Sequence, residues 1–185
     1  ITFVANYSIG KVTSCKGIAE GTENSNYLLT TDEGTYILTL YEKRVATDDL
    51  PFFLGLMGHL AERGVLCPTP LENNYGQALN QLCGRHAAII SFLEGMWPRR
   101  PSPDHCAGLG RALAKLHLAG VDFKIKRPNA LSVGSWRGLL EASGMRANEV
   151  KNGLYNILAQ EIEELEACWP KPSSDLPSGV IHADL

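Results

Sequence analysis

The sequence predicts an α+β fold in two lobes, a β-rich amino-terminal lobe followed by a mostly helical carboxy-terminal lobe. β-prone runs and a single helix fill the first part of the chain. A segment rich in proline and arginine follows at residues 98–103, and proline interrupts regular structure. Beyond it, apolar residues recur at helical spacing. The predicted limits are residues 1–90 for the first lobe, 91–95 for a hinge and 96–185 for the start of the second lobe.

An antiparallel hairpin is the main feature of the first lobe. Residues 27–31 and 35–41 are two runs of strand-forming residues, and the Asp-Glu-Gly stretch between them is typical of a tight turn. Residues 13–17 form the end of an earlier extended segment. The sequence therefore predicts neighbouring antiparallel strands near the amino terminus.

One helix and one more strand complete the first lobe. The helix is predicted from Asp48 to Gly64, because Pro51 fits a first turn and the apolar residues that follow recur at three- and four-residue intervals. Residues 87–93 are a short apolar run, which predicts a buried strand.

Three helices are predicted in the second lobe, over residues 104–117, 135–143 and 147–168. Residues 170–177 contain several prolines and end the last helix. An extended segment is predicted to begin at residue 179.

Composition narrows the classes of function. The chain is 44% hydrophobic and 20% charged, with a formal net charge of −3 and no basic block, so a nucleic-acid partner is not predicted. No apolar run reaches the roughly 20 residues of a membrane-spanning helix, so no membrane partner is predicted. The composition does not predict an oligomeric state.

The cysteines favour a reducing compartment. The chain has five of them, widely spread and without a Cys-x-x-Cys pair, which fits neither a disulfide framework nor a zinc site. Cys83 and His86 form a lone C-x-x-H, and a zinc site needs about four ligands. We therefore expect a cytoplasmic protein and predict no protein ligand for a metal.

The segment from Gly17 to Tyr27 is rich in small and polar residues. Such residues let backbone N–H groups and hydroxyls approach phosphate oxygens without a clash from Cβ atoms. The segment matches neither a P-loop nor G-x-G-x-x-G. From the residues alone, an ordinary hairpin loop is an alternative to a phosphate-binding loop.

The last residues, His182-Ala-Asp-Leu185, follow a short apolar run. An aspartate held in a loop after a strand can accept a proton from a substrate hydroxyl during phosphoryl transfer. A histidine two residues earlier can hold the shape of that loop. Asp184 is thus a candidate base, and His182 is a candidate for its support.

Together these motifs resemble the aminoglycoside phosphotransferase and choline kinase group, which has a two-lobed protein-kinase-like fold. His182–Leu185 is similar to the His-Gly-Asp-Leu that opens its catalytic loop, residues 21–27 to its nucleotide loop, and residues 89–95 to its hinge. The resemblance implies ATP and Mg²⁺ as cofactors and Asp184 as the catalytic base, with His182 beside it. The nucleotide contacts that it implies are Gly21, Thr22, Asn24, Ser25, Asn26, Lys43, Ser91 and Leu93.

Within this group, residues 17–27, 36–44 and 129–136 look like bacterial homoserine kinases. This resemblance implies ATP-dependent phosphorylation of the hydroxyl of L-homoserine, a step toward threonine. One alternative is a related kinase acting on choline, methylthioribose or an aminoglycoside. Another is a catalytically dead nucleotide-binding module.

Two departures from the group's pattern affect these expectations. Thr39 stands where the group has a phosphate-binding lysine or arginine, and Lys43 or Arg44 either replaces it or is an exposed cation. The chain also stops one residue after Asp184, before the asparagine and aspartate that hold magnesium in the group, and it does not begin with Met. We therefore expect a piece of a longer protein, inactive as a kinase by itself.

Overall fold

The computed structural model describes residues 2–19, 24–42, 47–96, 98–170 and 177–182. The chain divides into two compact units. The first unit is Ile1–Lys126 with Gly179–Leu185, and the second is Arg127–Ser178. The predicted hinge and the lobe limits beside it stay a prediction.

The first unit contains a five-stranded antiparallel sheet with the strand order β1-β2-β3-β5-β4. The predicted hairpin is confirmed as β2 and β3, and Thr31 closes its turn by accepting hydrogen bonds from the N–H groups of Glu33 and Gly34, both at 3.1 Å. The strands are β1 Val12–Ile18, β2 Asn24–Thr31, β3 Thr35–Tyr41, β4 Asn80–Leu82 and β5 Arg85–Ser91.

The predicted strand at 87–93 is displaced by two residues, because β5 begins at Arg85 and ends at Ser91. It starts earlier because a tight turn at Cys83 and Gly84, with φ of 52° and 73°, joins it to β4. A non-glycine residue with positive φ is uncommon, and Cys-Gly is not among the usual hairpin signals. The sequence therefore did not predict this hairpin or β4.

One face of the sheet packs against the amino-terminal segment, for which the sequence predicted no part in the core. Tyr7 in this segment is buried, and its hydroxyl accepts a hydrogen bond from Asn80 Nδ2 at 2.9 Å. The carbonyl of Asn6 accepts a second bond from the N–H of Asn74, at 2.8 Å. The buried residues of this core are Val4, Tyr7, Ile9, Leu29, Leu38, Leu40, Ala87 and Ile89.

The turn into β1 depends on glycine, which leads to a first prediction. Gly10 has a φ of +82°, and a Cβ there would collide with the carboxylate of Asp32 and lie 2.9 Å from Glu33 Cγ. We expect Gly10→Ala to lower the free energy of unfolding by about 1–2 kcal/mol from backbone strain alone, measured by urea unfolding. Gly110→Ala is the control, because open space surrounds that helical position. A variant at Gly10 as stable as this control would contradict the prediction.

Two helices complete the first unit, and both predicted helices are confirmed. Helix α1 spans Leu50–Glu62 with proline in its first turn, and helix α2 spans Pro103–Ala119. Ser102 caps α2 by accepting a bond from the N–H of His105 at 3.4 Å. No residue of α2 is buried, and Leu118 in its last turn is largely exposed.

The second unit contains helices α3 Val133–Ser143, α4 Ala147–Val150 and α5 Leu154–Cys168. The predicted continuous helix at 147–168 is wrong, because it is broken at residues 151–153. Gly153 has a φ of 77°, which a right-handed helix does not accommodate. Asn148 bridges the break by accepting a hydrogen bond from the N–H of Tyr155 at 3.0 Å.

The extended segment predicted from residue 179 is described as far as His182, and it has no regular structure there. Among the described residues, no helix combines the length and the apolar character that crossing a membrane requires.

Candidate functional site

The sheet face opposite the core carries an ordered set of side chains that we call the ladder. Successive side chains of a strand point to opposite faces. Because Leu29, Leu38 and Ile89 lie in the core, their neighbours along each strand occupy the other face. The pairing of the strands places these neighbours in three rows across the sheet. The first row is Asn24 with Tyr41, the second is Asn26 with Thr39 and Ala88, and the third is Leu28 with Ile37 and Ile90.

The ladder changes from apolar to polar along the strands. Leu28, Ile37 and Ile90 are half-buried, and this row lies at the end of β5 that leads into residues 91–95. Asn26 and Thr39 lie two residues further along, about 7 Å at the usual rise of a strand. This polar row is next to the segment between β1 and β2, since Asn26 pairs with Ile18, the last residue of β1. The face can therefore take a ligand with an apolar part and a polar part.

The polar end contains one satisfied pair and one unsatisfied atom. Thr39 is 7% exposed, and its hydroxyl donates a hydrogen bond to Asn26 Oδ1 at 2.9 Å. Asn24 Oδ1 is buried and has no hydrogen-bond partner within the described residues. Burial raises the pKa of the Tyr41 phenol on the neighbouring strand, so this group is neutral near pH 7. An unpaired buried acceptor beside a ligand surface favours a donor brought by a ligand or by another part of the chain.

The side chain of Ser25 lies on the core face of β2, whereas those of Asn24 and Asn26 lie on the other face. Ser25 is paired with Leu40 of β3. Its hydroxyl donates to Glu42 Oε1 at 2.7 Å, and Arg85 Nη1 donates to the same oxygen at 2.7 Å. These hydrogen bonds connect the ends of β2, β3 and β5 through Glu42. The predicted contact of Ser25 with nucleotide stays a prediction, and its hydroxyl is already engaged.

Among the residues predicted to form the hinge, Ser91 is bonded to a neighbouring segment and Leu93 leaves its backbone groups open. Ser91 is tied to the segment before β4, since its N–H donates to the carbonyl of Thr69 and its hydroxyl accepts from the N–H of Thr69, both at 2.9 Å. Beyond it, Leu93 is 38% exposed. In the described part of the chain, no group pairs with the N–H or carbonyl of Leu93. Both can therefore pair with the edge of a planar ligand.

The candidate base and several loop residues lie outside the described residues, namely Asp184, Gly21, Thr22, Lys43 and Arg44. Residues leading to the base are described as far as His182, which is exposed. Val180 lies against the end of α2, because a Cβ on Gly120 would be 3.4 Å from Val180 Cβ. Thus the segment that precedes Asp184 is placed beside the end of α2.

The same end of α2 is joined to α1. His59 Nε2 lies 2.9 Å from the carbonyl oxygen of Ala119 and 3.2 Å from Asp122 Oδ1. Arg63 Nη2 donates to Asp122 Oδ2 at 2.6 Å. The ring of Phe123 packs edge-on against that of His59, with centroids 5.0 Å apart. These contacts hold α1 against the turn that follows α2.

This junction gives a prediction on pH. The hydrogen bond from Arg63 lowers the pKa of the Asp122 carboxyl below its usual value. An aspartate with a lowered folded pKa adds stability above its unfolded pKa, about 3.9, and that stability is lost as the pH falls through the folded pKa. We expect wild type to exceed Asp122→Asn in Tm near neutral pH and the difference to shrink below about pH 4. Arg63→Gln should show the same pattern, and a constant difference down to the lowest pH would contradict it.

The side chains of the described residues include no group of three or more His, Cys, Asp or Glu that could hold a metal ion. The part of the chain that the structure describes therefore does not supply a carboxylate cluster for a divalent cation.

The apolar row of the ladder was not predicted as part of a site. Its signal was present in the run Tyr-Ile-Leu-Thr-Leu-Tyr of β3, where apolar residues occupy both alternating faces. A strand covered on one face only shows polar residues on the other. Two apolar faces indicate that something covers the second face as well.

Comparison with proteins of known sequence gives the family. Residues 14–185 match the phosphotransferase enzyme family. A homoserine kinase of Nitrobacter winogradskyi is 61% identical over 183 residues, which are 99% of this chain and 55% of that protein. A homoserine kinase of Rhizobium meliloti is 61% identical over 185 residues, 100% of this chain and 56% of that protein. This chain thus spans little more than half the length of these curated relatives.

Solved structures show the fold. A spectinomycin phosphotransferase in complex with ADP and spectinomycin superposes with a TM-score of 0.68 at 14% identity, over 92% of this chain and 57% of that one. An aminoglycoside phosphotransferase from Alicyclobacillus acidocaldarius gives a TM-score of 0.55 at 13% identity, over 88% and 52%. The predicted α+β, protein-kinase-like fold class is confirmed. Since the family match extends over residues 14–185, this chain belongs to the phosphotransferase enzyme family.

Proposed function

We propose that this chain carries the nucleotide site of an ATP-dependent kinase that phosphorylates the side-chain hydroxyl of L-homoserine. The observation that carries the proposal is the ladder, which is apolar beside the hinge residues and polar beside the segment between β1 and β2. The choice of homoserine is supported by relatives of that name that are about 60% identical to this chain.

The proposed site binds the two parts of ATP with the two ends of the ladder. Leu28, Ile37 and Ile90 offer an apolar surface to adenine, and the open N–H and carbonyl of Leu93, two residues after Ser91, offer hydrogen bonds to its edge. The phosphates lie toward the polar end. There we assign contacts to Gly21, Thr22, Asn24 and Asn26, since small polar residues let the backbone approach phosphate oxygens.

Two further contacts have a more specific form. The hydroxyl of Ser25 donates to Glu42, so we assign its contact with nucleotide to the backbone N–H. Lys43 follows β3 closely and is our candidate for a cation near the phosphates, in place of the lysine that is absent at Thr39.

Asp184 is proposed as the base. Its carboxylate accepts the proton of the homoserine hydroxyl while the hydroxyl oxygen bonds to the γ-phosphorus and the bond from that phosphorus to ADP breaks. His182 is proposed to hold the loop that carries Asp184. The position of Val180 close to Gly120 supports this role, because it brings the residues that precede the loop beside the end of α2.

Magnesium accompanies ATP in phosphoryl transfer and neutralises charge on the phosphates. The described residues do not fit a magnesium site of their own, since they include no carboxylate cluster. We therefore assign no magnesium ligand to them. The scattered cysteines, without a disulfide framework, support a cytoplasmic enzyme.

The test uses this chain extended after Leu185 with the sequence that follows the equivalent position in the Nitrobacter winogradskyi relative. ADP formation is measured with homoserine, choline, methylthioribose and an aminoglycoside as separate acceptors. We expect turnover with homoserine alone, and none from the 185-residue chain without the extension.

Each other result has a definite meaning. Turnover with a different acceptor would overturn the homoserine assignment and keep the kinase. ATP binding without turnover on any acceptor would favour the dead nucleotide-binding module. Turnover by the 185-residue chain alone would overturn the expectation that it is incomplete as an enzyme.

A further inference from the structure

A buried hydroxyl lies at the polar end of the ladder. Thr39 is on the central strand, between Asn26 of β2 and Ala88 of β5. Ala88 offers no polar side-chain atom, and the hydroxyl of Thr39 donates to Asn26 Oδ1 at 2.9 Å. A buried hydroxyl without a partner is unfavourable, so this bond fixes both side chains. Threonine suits the position because its branched side chain has few rotamers.

The bond determines which end of the Asn26 amide is left for a ligand. An asparagine amide has one acceptor oxygen and one NH₂ donor. The oxygen is engaged by Thr39, and within the described residues no group accepts a hydrogen bond from Nδ2. The free end of Asn26 is therefore a donor, on a residue that pairs with Ile18, the last residue of β1.

A phosphate group presents acceptor oxygens only, so it needs donors from the protein. If the amide were turned round, Oδ1 would face the phosphate and repel it. We propose that Thr39 is a positioning residue for nucleotide, whose hydroxyl holds Asn26 with its NH₂ group directed to a phosphate oxygen of ATP. This inference rests on the proposed function and adds that a neutral amide, oriented from β3, binds the phosphates.

The test compares ATP with adenosine, which has the same base and ribose but no phosphate. Dissociation constants are measured by isothermal titration for this chain and for the extended protein. We expect Thr39→Val, which keeps the shape and removes the hydroxyl, to weaken ATP binding about tenfold, or about 1.4 kcal/mol. Adenosine binding should not change. Thr39→Ser, which keeps the hydroxyl, should bind ATP within about twofold of wild type.

Asn26→Asp provides a second test, useful if Thr39→Val does not fold. The aspartate keeps an acceptor for Thr39 and replaces the NH₂ donor by an oxygen. We expect it to lose at least as much ATP affinity as Thr39→Val, about tenfold or more, and to keep its affinity for adenosine.

The outcomes separate the inference from the proposed function. If wild type bound ATP and the Thr39→Val variant bound it with equal affinity, the inference alone would be overturned. Equal losses for ATP and adenosine, a Thr39→Ser variant as weak as Thr39→Val, or an Asn26→Asp variant of wild-type affinity would also overturn it. If wild type bound ATP neither as the 185-residue chain nor as the extended protein, both the inference and the proposed function would be overturned.

Discussion

Leu29→Ala is expected to lower the free energy of unfolding of the first unit by about 2–5 kcal/mol. Leu29 is 1% exposed and lies in β2 between Cys15 of β1 and Tyr36 of β3. Its side chain belongs to the core between the sheet and the amino-terminal segment. Removing it loses buried apolar area and leaves a cavity that a sheet bonded on both sides cannot close. Urea unfolding followed by circular dichroism measures the change.

The matched control is Leu66→Ala, which makes the same chemical change at a side chain that is 88% exposed. Its effect should stay within about 0.5 kcal/mol, because an exposed leucine has little apolar area to lose. If both variants unfolded at the same urea concentration as wild type, the burial of Leu29 and the core built around it would be wrong.

Asp184→Asn, made in the extended protein, is expected to lower kcat with homoserine by a factor of about 10²–10⁴. Asparagine is nearly the same size as aspartate but cannot accept the proton of the acceptor hydroxyl. Because the proposed nucleotide contacts lie elsewhere, ATP affinity should change little. Steady-state kinetics with separate titration of ATP distinguishes the two effects.

Asp104→Asn is the control for this variant, since it makes the same change at an exposed position in the first turn of α2. It should retain wild-type kcat. An equal loss in both variants would indicate a general effect of removing a carboxylate, and a fully active Asp184→Asn would remove Asp184 from the role of base.

The elements that the sequence predicted well have strong local signals. The hairpin of β2 and β3 has a turn of Asp, Glu and Gly between strand-forming runs, and α1 has proline in its first turn. These signals act over a few residues, so they do not depend on distant parts of the chain. Their positions follow from periodicity and turn chemistry alone.

The elements that it missed depend on contacts across the chain. β4 has three residues, and its partner β5 holds it through a turn at Cys83 that has no usual hairpin sequence. The amino-terminal segment joins the core through Asn80 and Asn74, which are far from it in sequence. Neither feature has a local pattern strong enough to predict it.

The candidate site also has one part that the sequence predicted and one part that it did not. Resemblance to a family supplied the candidate loop, hinge and base, and it showed that the usual cation is absent at Thr39. It gave no indication of what Thr39 does instead. The bond between Thr39 and Asn26 depends on the register of β2 and β3, which places the two residues opposite each other. Register is a property of strand pairing, and single residue types do not reveal it.

The contacts of the amino-terminal segment determine the order in which parts of the first unit fold during synthesis. β1, β2 and β3 pair with near neighbours in the chain and can form early. Tyr7 bonds to Asn80, 73 residues later, so the segment before β1 is secured only after β4 has been made. Until β5 has emerged from the ribosome, Tyr7 and the apolar residues beside it stay accessible to chaperones and proteases. Protease digestion of nascent chains of increasing length should therefore show the segment around Tyr7 becoming resistant only after residue 91 has emerged.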